Sequence, residues 1–170
     1  MLPSPATSST RAVDDCAPMD MLARLFEARG WPFAFESDDE VGVQVQGSWG
    51  SYQLRAIWRR EDRVLQVLCL PEIRVSEARV PALHELIGRI NEQVWLGHFE
   101  LWSQGRILLY RHAMLLGDDG LLSLAQAQAL VEAAIEDCDR FYPAFQFALW
   151  GDKSPREALD AALIDAAGEA

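Results

Sequence analysis

Three histidines are the side chains of this sequence best suited to metal binding or to acid–base chemistry. His84, His98 and His112 are widely and evenly spaced along the chain. Local metal motifs instead place their ligands only a few residues apart. A site built from these histidines therefore depends on the fold bringing them together.

A predicted β-hairpin keeps two of these histidines apart. Gln104–Gly105 lies between two apolar runs, which is typical of a tight turn. With this turn, His98 faces Arg111 across the two strands. Successive side chains of a strand alternate between the faces of the sheet, so His98 and His112 are expected on opposite faces. The sequence therefore predicts no metal site, and it predicts no cofactor.

The same register places His98, Glu100 and Arg111 on one face of the hairpin. An imidazole, a carboxylate and a guanidinium in one place can serve a small-ligand sensor or an enzyme, which is the alternative functional hypothesis. The ordinary interpretation is a partly exposed ion pair between Glu100 and Arg111, which contributes little to stability.

The motif of nucleophilic catalysis is absent from the sequence, which contains no Gly-x-Ser-x-Gly segment. Cys16, Cys69 and Cys138 are scattered and odd in number, unlike the cysteines of a disulfide framework or a zinc site. Cys69 lies in an apolar strand and Cys138 on an apolar helix stripe, so both are predicted to be buried thiols. The sequence predicts no catalytic residue, and we expect a protein that is not an enzyme.

The charge balance excludes two classes of partner. The chain of 170 residues carries 15 basic and 26 acidic side chains, a formal charge of −11. Nucleic acids and anionic membranes are bound by clustered basic side chains, so neither is an expected partner. The N-terminal residues lack the basic start and apolar core of a signal peptide, and no apolar run is long enough to span a bilayer. A cytoplasmic location is therefore expected.

The chain divides into three parts. Residues 1–17 are rich in Pro, Ser and Thr and are predicted to be a disordered leader. Residues 18–150 form a single predicted domain, which is long enough to bury a substantial core. Residues 151–170 are predicted to form a C-terminal helix and tail.

Alternation of apolar and polar residues predicts the strands. Two alternating segments lie at 41–46 and 52–59. The next segment, Val64–Leu70, is almost wholly apolar and is predicted to be the central strand, whose regular pairing ends at Pro71. The hairpin around Gln104–Gly105 adds two further strands.

Apolar spacing and capping residues predict the helices. The first is expected to begin near Asp20. The second is expected to open close to Pro81 and to carry an apolar stripe as far as Val94. On this interpretation Trp95 belongs to the core, and Gly97 takes the left-handed position that closes the helix.

Two capping boxes, Ser123 with Gln126 and Ser154 with Glu157, mark the last two helices. Pro143 is expected to kink or end the first of these. The predicted order is α-β-β-β-α-β-β-α with an added C-terminal helix. This order is typical of the α+β class, with an antiparallel sheet and helices on one of its faces.

Aromatic residues indicate a surface for another protein. If helices cover the face that bears Phe99, then Trp102 and Leu109 on the opposite face need a cover from the terminal helix or from another chain. The candidate partner-binding residues are Trp58, Trp102, Leu109 and Arg111. The leading hypothesis is a non-enzymatic protein-interaction module, regulatory or chaperone-like, that forms a homodimer and binds a protein partner.

Two motifs of the sequence are distinctive: Ile90-Asn-Glu-Gln-Val-Trp-Leu-Gly-His-Phe-Glu-Leu-Trp102 and Phe141-Tyr-Pro-Ala-Phe-Gln-Phe-Ala-Leu-Trp-Gly-Asp-Lys-Ser-Pro155, with Tyr110–Met114 between them. With these motifs the chain resembles the bacterial YbjN-domain family, labelled sensory transduction regulators, over residues 19–165. The resemblance implies a fold similar to that of the type III secretion chaperones, which bind extended client segments and commonly dimerise. It implies no catalytic residue.

Overall fold

The computed structural model describes residues 15–168. The predicted disordered leader therefore lies largely outside the described residues. Just before the domain, Cys16 and Leu122 exchange two backbone hydrogen bonds of 3.2 and 2.9 Å. Paired structure thus begins before residue 18.

The described chain forms an antiparallel sheet with helices on one face, which confirms the predicted α+β class. The elements in chain order are α1 Pro18–Arg29, β1 Phe33–Ser37, β2 Glu40–Gln46, β3 Ser51–Arg59, β4 Val64–Leu70, α2 Val80–Asn91, β5 His98–Trp102, β6 Ile107–Leu115, α3 Leu124–Trp150 and α4 Pro155–Gly168. A single 3-10 turn, Glu77–Arg79, precedes α2.

The sheet has six strands in the order β1-β2-β3-β4-β6-β5, and every neighbouring pair is antiparallel. Strand β4 lies in the middle, as its apolar composition predicted. Strand β1 is additional to the predicted order. Its five residues follow Pro32 and lie at an edge of the sheet with little burial, so they lack the periodic pattern of a half-buried strand.

Alternating burial shows which face of the sheet the helices cover. Val41, Val43 and Val45 of β2 are buried, whereas the residues between them are more exposed. On β5, Phe99 packs edge-on against Phe141 of α3 at 5.9 Å between ring centroids. The helices and this face of the sheet therefore form one continuous core.

Helix α1 begins earlier than the sequence predicted. Pro18 occupies its first turn, and Ala17 is the N-cap residue without a side-chain hydrogen bond. Proline suits this position because its ring presets the helical φ and the missing N–H has no partner there in any case. Asp20 is therefore not the cap, although it lies in the first turn.

Helix α2 ends at Asn91, before the end of the apolar stripe that predicted it. The prediction that Trp95 lies in the core is wrong, because this residue belongs to the following loop and is 96% exposed. Gly97 is left-handed, with φ +74°, but it precedes β5 and does not close the helix. A Cβ atom there would lie 2.5 Å from the Arg111 carbonyl oxygen, so close backbone approach requires glycine.

Helix α3 begins at the predicted capping box of Ser123 and Gln126 and continues through Pro143 to Trp150. The proline does not end the helix. Residues on both sides of it, among them Phe141 and Phe145, are buried against the sheet. This packing supports the helix across the missing N–H.

Helix α4 begins at the second predicted capping box, in which Ser154 Oγ accepts a hydrogen bond from the Glu157 N–H. It contacts α3 and α2. Its buried residues are Ala158, Leu159 and Ala162. The terminal helix thus extends the helical layer.

Asp139 of α3 holds the turn between β2 and β3. Its carboxylate accepts hydrogen bonds from the Ser48 N–H at 2.8 Å, the Ser48 hydroxyl at 2.9 Å and the Tyr52 hydroxyl at 2.6 Å. The Trp49 indole N–H donates to the Asp139 carbonyl oxygen at 3.0 Å, and its ring stacks on Tyr142. One acidic side chain therefore fixes the hairpin on the helical layer.

Candidate functional site

We call the sheet face opposite the helices the open face. It is formed by the side chains that alternate with the core residues of each strand. Its central members are Arg55, Ile57, Gln66, Leu68, His98, Glu100, Trp102, Ile107, Leu109 and Arg111.

The predicted hairpin register is confirmed. His98 pairs with Arg111, and Trp102 pairs with Ile107, before the turn that contains left-handed Gly105 and Arg106. This register brings the residues of the alternative ligand or enzyme site together on the open face.

Glu100 is the centre of a polar cluster on this face. It accepts hydrogen bonds from the Arg111 guanidinium and, at 2.6 Å, from the Trp102 indole N–H. The His98 Nε2 atom lies 3.3 Å from its second oxygen. Because one carboxylate satisfies several neighbours, the cluster holds Trp102 and Arg111 in defined orientations.

This cluster is open to solvent and lies outside the two cavities described below. The side chains of Glu100, Arg111 and His98 all retain contact with solvent. They interact chiefly with one another, and neither of the two cavities described below includes them. The alternative hypothesis of an enzyme or sensor site at these residues stays a prediction.

The four candidate partner-binding residues occupy different positions. Trp102 and Arg111 are partly exposed on the open face, whereas Leu109 is fully buried in its floor. Trp58 is only 9% exposed and belongs to the core under the helices. The structure thus removes Trp58 from the candidate surface, because it shares the buried side of β3 with Tyr52.

The centre of the open face is apolar. Leu68 and Leu109 are buried although they lie outside the core cluster under the helices. Partly exposed Trp102, Ile107 and Ile57 lie on the same face. Ion pairs between Arg55 and Glu40 and between Arg111 and Glu100 add charged groups to it. An apolar centre with paired charges is typical of a protein–protein interface.

The two hairpin histidines lie on opposite faces, as predicted. His112 is on the helix-covered side, opposite Val67, and its Nδ1 atom is buried without a hydrogen-bond partner among the described residues. Burial lowers the pKa of His112. Across residues 15–168, no three His, Cys, Asp or Glu side chains are placed to hold a metal ion together.

The cysteines Cys69 and Cys138 are free and buried, as predicted. Burial raises the pKa of the Cys138 thiol, and its hydrogen bond with Cys69 acts in the same direction. A thiol with a raised pKa is a poor nucleophile, because the thiolate is the reactive form. Cys138 therefore acts as a small core side chain.

The sequence reasoning missed two cavities. The first, of about 430 Å³, lies where β4 ends, and its lining residues are Gln53, Leu70, Glu72, Ile73, Arg74 and Ile107. The second, of about 490 Å³, lies beside β1 and includes Met19, Phe35 and Asp38. For the cavity at the end of β4, Pro71 was the sequence signal, because a proline in a strand indicates a bulge or an end of pairing.

In residues 15–168, no helix has both the length and the apolar character needed to cross a lipid bilayer.

Comparison with known proteins identifies the family. A family model named YbjN, described as "Putative bacterial sensory transduction regulator", matches residues 18–147. A crystal structure of YbjN from E. coli, titled "a putative transcription regulator", aligns with a TM-score of 0.54 and 13% identity, covering 89% of this chain and 97% of that chain. This likeness shows a shared fold. A search of curated proteins found no match. Because the family model covers most of the chain, the protein belongs to the YbjN family.

Proposed function

We propose that this protein is a non-enzymatic regulatory module of the cytoplasm that binds a protein partner through the open face of its sheet. The observation that supports the proposal is the group of partly exposed apolar residues Trp102, Ile107 and Ile57 on this face, which lie outside the core under the helices. Partly exposed apolar side chains beside ordered polar groups are typical of a protein-binding site.

Trp102 is the expected anchor of the interface. Tryptophan and arginine are enriched among the residues that contribute most to protein–protein binding. The hydrogen bond from the Trp102 indole to Glu100 restricts this side chain before the partner arrives. Less conformational entropy is then lost on binding, which favours affinity.

The charges of the open face suit burial under a partner. Arg111 is paired with Glu100, and Arg55 is paired with Glu40. A charge that is already paired costs less to desolvate than an isolated one. The polar cluster can therefore lie at the rim of the interface without leaving an unpaired ion.

The homodimer predicted from the sequence is part of the proposal. A two-fold axis allows one patch to pair with the same patch of a second copy. Size-exclusion chromatography with light scattering on the wild-type protein and the Trp102→Lys variant tests this arrangement. A wild-type dimer that becomes a monomer in the variant supports dimerisation through the open face. A wild-type monomer at micromolar concentration contradicts the homodimer.

A matched pair of tryptophan variants tests partner binding. Trp102→Lys places a charge on the open face, whereas Trp95→Lys changes an exposed tryptophan outside it. The partner is identified by affinity purification of the wild-type protein from its native host and mass spectrometry. Its affinity for each purified variant is then measured by calorimetry. A hot-spot tryptophan contributes about 2 kcal/mol, so Trp102→Lys is expected to weaken binding about thirtyfold.

The control variant should bind the partner as tightly as the wild type. Circular dichroism and urea unfolding establish that both variants are folded. Equal affinities for Trp102→Lys and Trp95→Lys would place the interface elsewhere on the protein.

A further inference from the structure

A bulge follows the end of β4, at residues 71–73. The regular pairing of β4 with β6 ends with Cys69 opposite Tyr110, and an isolated bridge then joins Arg74 to Ile107. Between these pairs, the β4 side of the ladder contains two more residues than the β6 side. Bulges are frequent beside functional sites because they redirect side chains and open the sheet locally.

The backbone of the bulge is strained. Glu72 lies in the left-handed region with φ +59°. Residues other than glycine rarely adopt this backbone conformation. The segment that follows is held in place, since the Leu108 N–H donates to the Ile73 carbonyl oxygen at 3.3 Å and the Val75 N–H donates to the Arg106 carbonyl oxygen at 3.1 Å. Strain that the surrounding structure maintains is common in ligand-binding segments.

The cavity of about 430 Å³ described above is built around this bulge. Its size is within the range of small-molecule sites. Its lining combines three aliphatic and three polar residues, namely Leu70, Ile73 and Ile107 with Gln53, Glu72 and Arg74. Among residues 15–168, the side chains of Glu72 and Arg74 form no ion pair.

The chemistry of the lining defines the ligand. A guanidinium binds a carboxylate through two parallel hydrogen bonds, and a carboxylate binds an ammonium group. Arg74 and Glu72 are separated by one residue, so a ligand that neutralises both needs its two opposite charges close together. The α-carboxylate and α-ammonium of an amino acid meet this requirement, and the partly exposed Leu70 and Ile107 suit an apolar side chain.

We propose that the bulge cavity binds a free α-amino acid with an apolar side chain. Arg74 pairs with its carboxylate and Glu72 with its ammonium group. Both charged residues line the cavity and are exposed to solvent. The cavity shares Ile107 with the open face but includes no residue of the Glu100 cluster, and amino-acid binding is measured without a protein partner, so the test does not depend on the partner-binding function.

Calorimetric titration of the full chain with leucine, isoleucine, valine, methionine and phenylalanine tests the proposal. At least one of these amino acids is expected to bind the wild-type protein. The same titration uses 4-methylpentanoate, which lacks the ammonium group, and isopentylamine, which lacks the carboxylate. Each is expected to bind at least tenfold more weakly than leucine or not at all.

Variants of the charged residues separate ligand contacts from folding. Arg74→Gln and Glu72→Gln should each weaken amino-acid binding at least tenfold. Glu72→Gly removes the carboxylate but suits the left-handed backbone, so it should weaken binding without loss of thermal stability. Arg79→Gln, in the 3-10 turn outside the cavity, is the matched control and should bind as the wild type does.

Three outcomes would overturn the proposal. The first is no heat of binding with any of the five amino acids. The second is binding that Arg74→Gln and Glu72→Gln leave unchanged. The third is glycyl-leucine binding as tightly as leucine, which would assign the cavity to a peptide C-terminus. Amino-acid binding that persists in Trp102→Lys would show that the cavity acts independently of the proposed interface.

Discussion

At the scale of single residues, His112 is the ionisable side chain with the clearest link between burial and pH. It lies between the sheet and the helices, and its Nδ1 atom has no hydrogen-bond partner among residues 15–168. Burial disfavours the charged imidazolium, so the pKa of His112 is lower in the folded protein than in the unfolded chain. Between these two pKa values the unfolded chain binds more protons than the folded protein.

This difference predicts how stability depends on pH. The contribution of neutral His112 is fully present above the unfolded-state value of about 6.5 and is lost as pH falls below it towards the folded-state pKa. Urea unfolding at pH 7, 6 and 5 measures how the free energy of unfolding falls as pH is lowered. This fall should be smaller for His112→Gln than for the wild type. Parallel profiles for the two proteins would contradict a lowered pKa.

At the scale of secondary-structure elements, Asn91 protects an edge of the sheet. It is the last residue of α2, and its side-chain amide accepts a hydrogen bond from the Phe99 N–H at 2.8 Å and donates one to the Phe99 carbonyl oxygen at 3.0 Å. The amide thus takes the place of a neighbouring strand beside β5. Unpaired edge groups are otherwise available to another chain.

Replacement of Asn91 is therefore expected to affect both stability and association. Asn91→Ala leaves two partly buried backbone groups unpaired and should lower the free energy of unfolding by about 1–3 kcal/mol. Asn91→Asp retains the acceptor but loses the donor, so its free energy of unfolding should lie between those of the wild type and Asn91→Ala. Urea unfolding measures the stability, and light scattering at increasing concentration detects edge association.

The neighbouring exposed residue provides the control for this edge. Glu92→Ala is expected to change the free energy of unfolding by less than about 0.5 kcal/mol. If Asn91→Ala is no less stable than Glu92→Ala, the amide does not protect the strand.

At the scale of the whole molecule, the position of α4 decides which surface remains available. The sequence leaves two possible covers for the open face, the terminal helix and another chain. Helix α4 packs on α3 and α2, with Leu159 buried between them. The terminal helix therefore extends the helical layer and does not cover the open face.

Two aliphatic residues of α4 test this packing in solution. Leu159→Ala should lower the free energy of unfolding by about 2–5 kcal/mol, because it leaves a cavity in the core. Ile164 is 71% exposed, so Ile164→Ala should change stability by less than about 0.5 kcal/mol. Urea unfolding of both variants measures the difference. Equal stabilities would mean that α4 does not pack on its own domain.

Local pattern was sufficient to predict the α+β class, the central strand β4, the hairpin register and both capping boxes. Each of these depends on residues that are close in sequence. The turn near Gln104 determines that His98 pairs with Arg111, and the Ser123 hydroxyl reaches only the first turn of its own helix. The family could also be predicted, because its motifs are continuous stretches of the chain.

Tertiary contacts decided the features that bear on function. The early end of α2 made Trp95 exposed, and the packing of β3 against the helices made Trp58 part of the core. The bulge after Pro71 and its cavity require strands β3, β4 and β6 together. Local periodicity indicates which residues share a face, whereas their exposure depends on packing between segments that are distant in sequence.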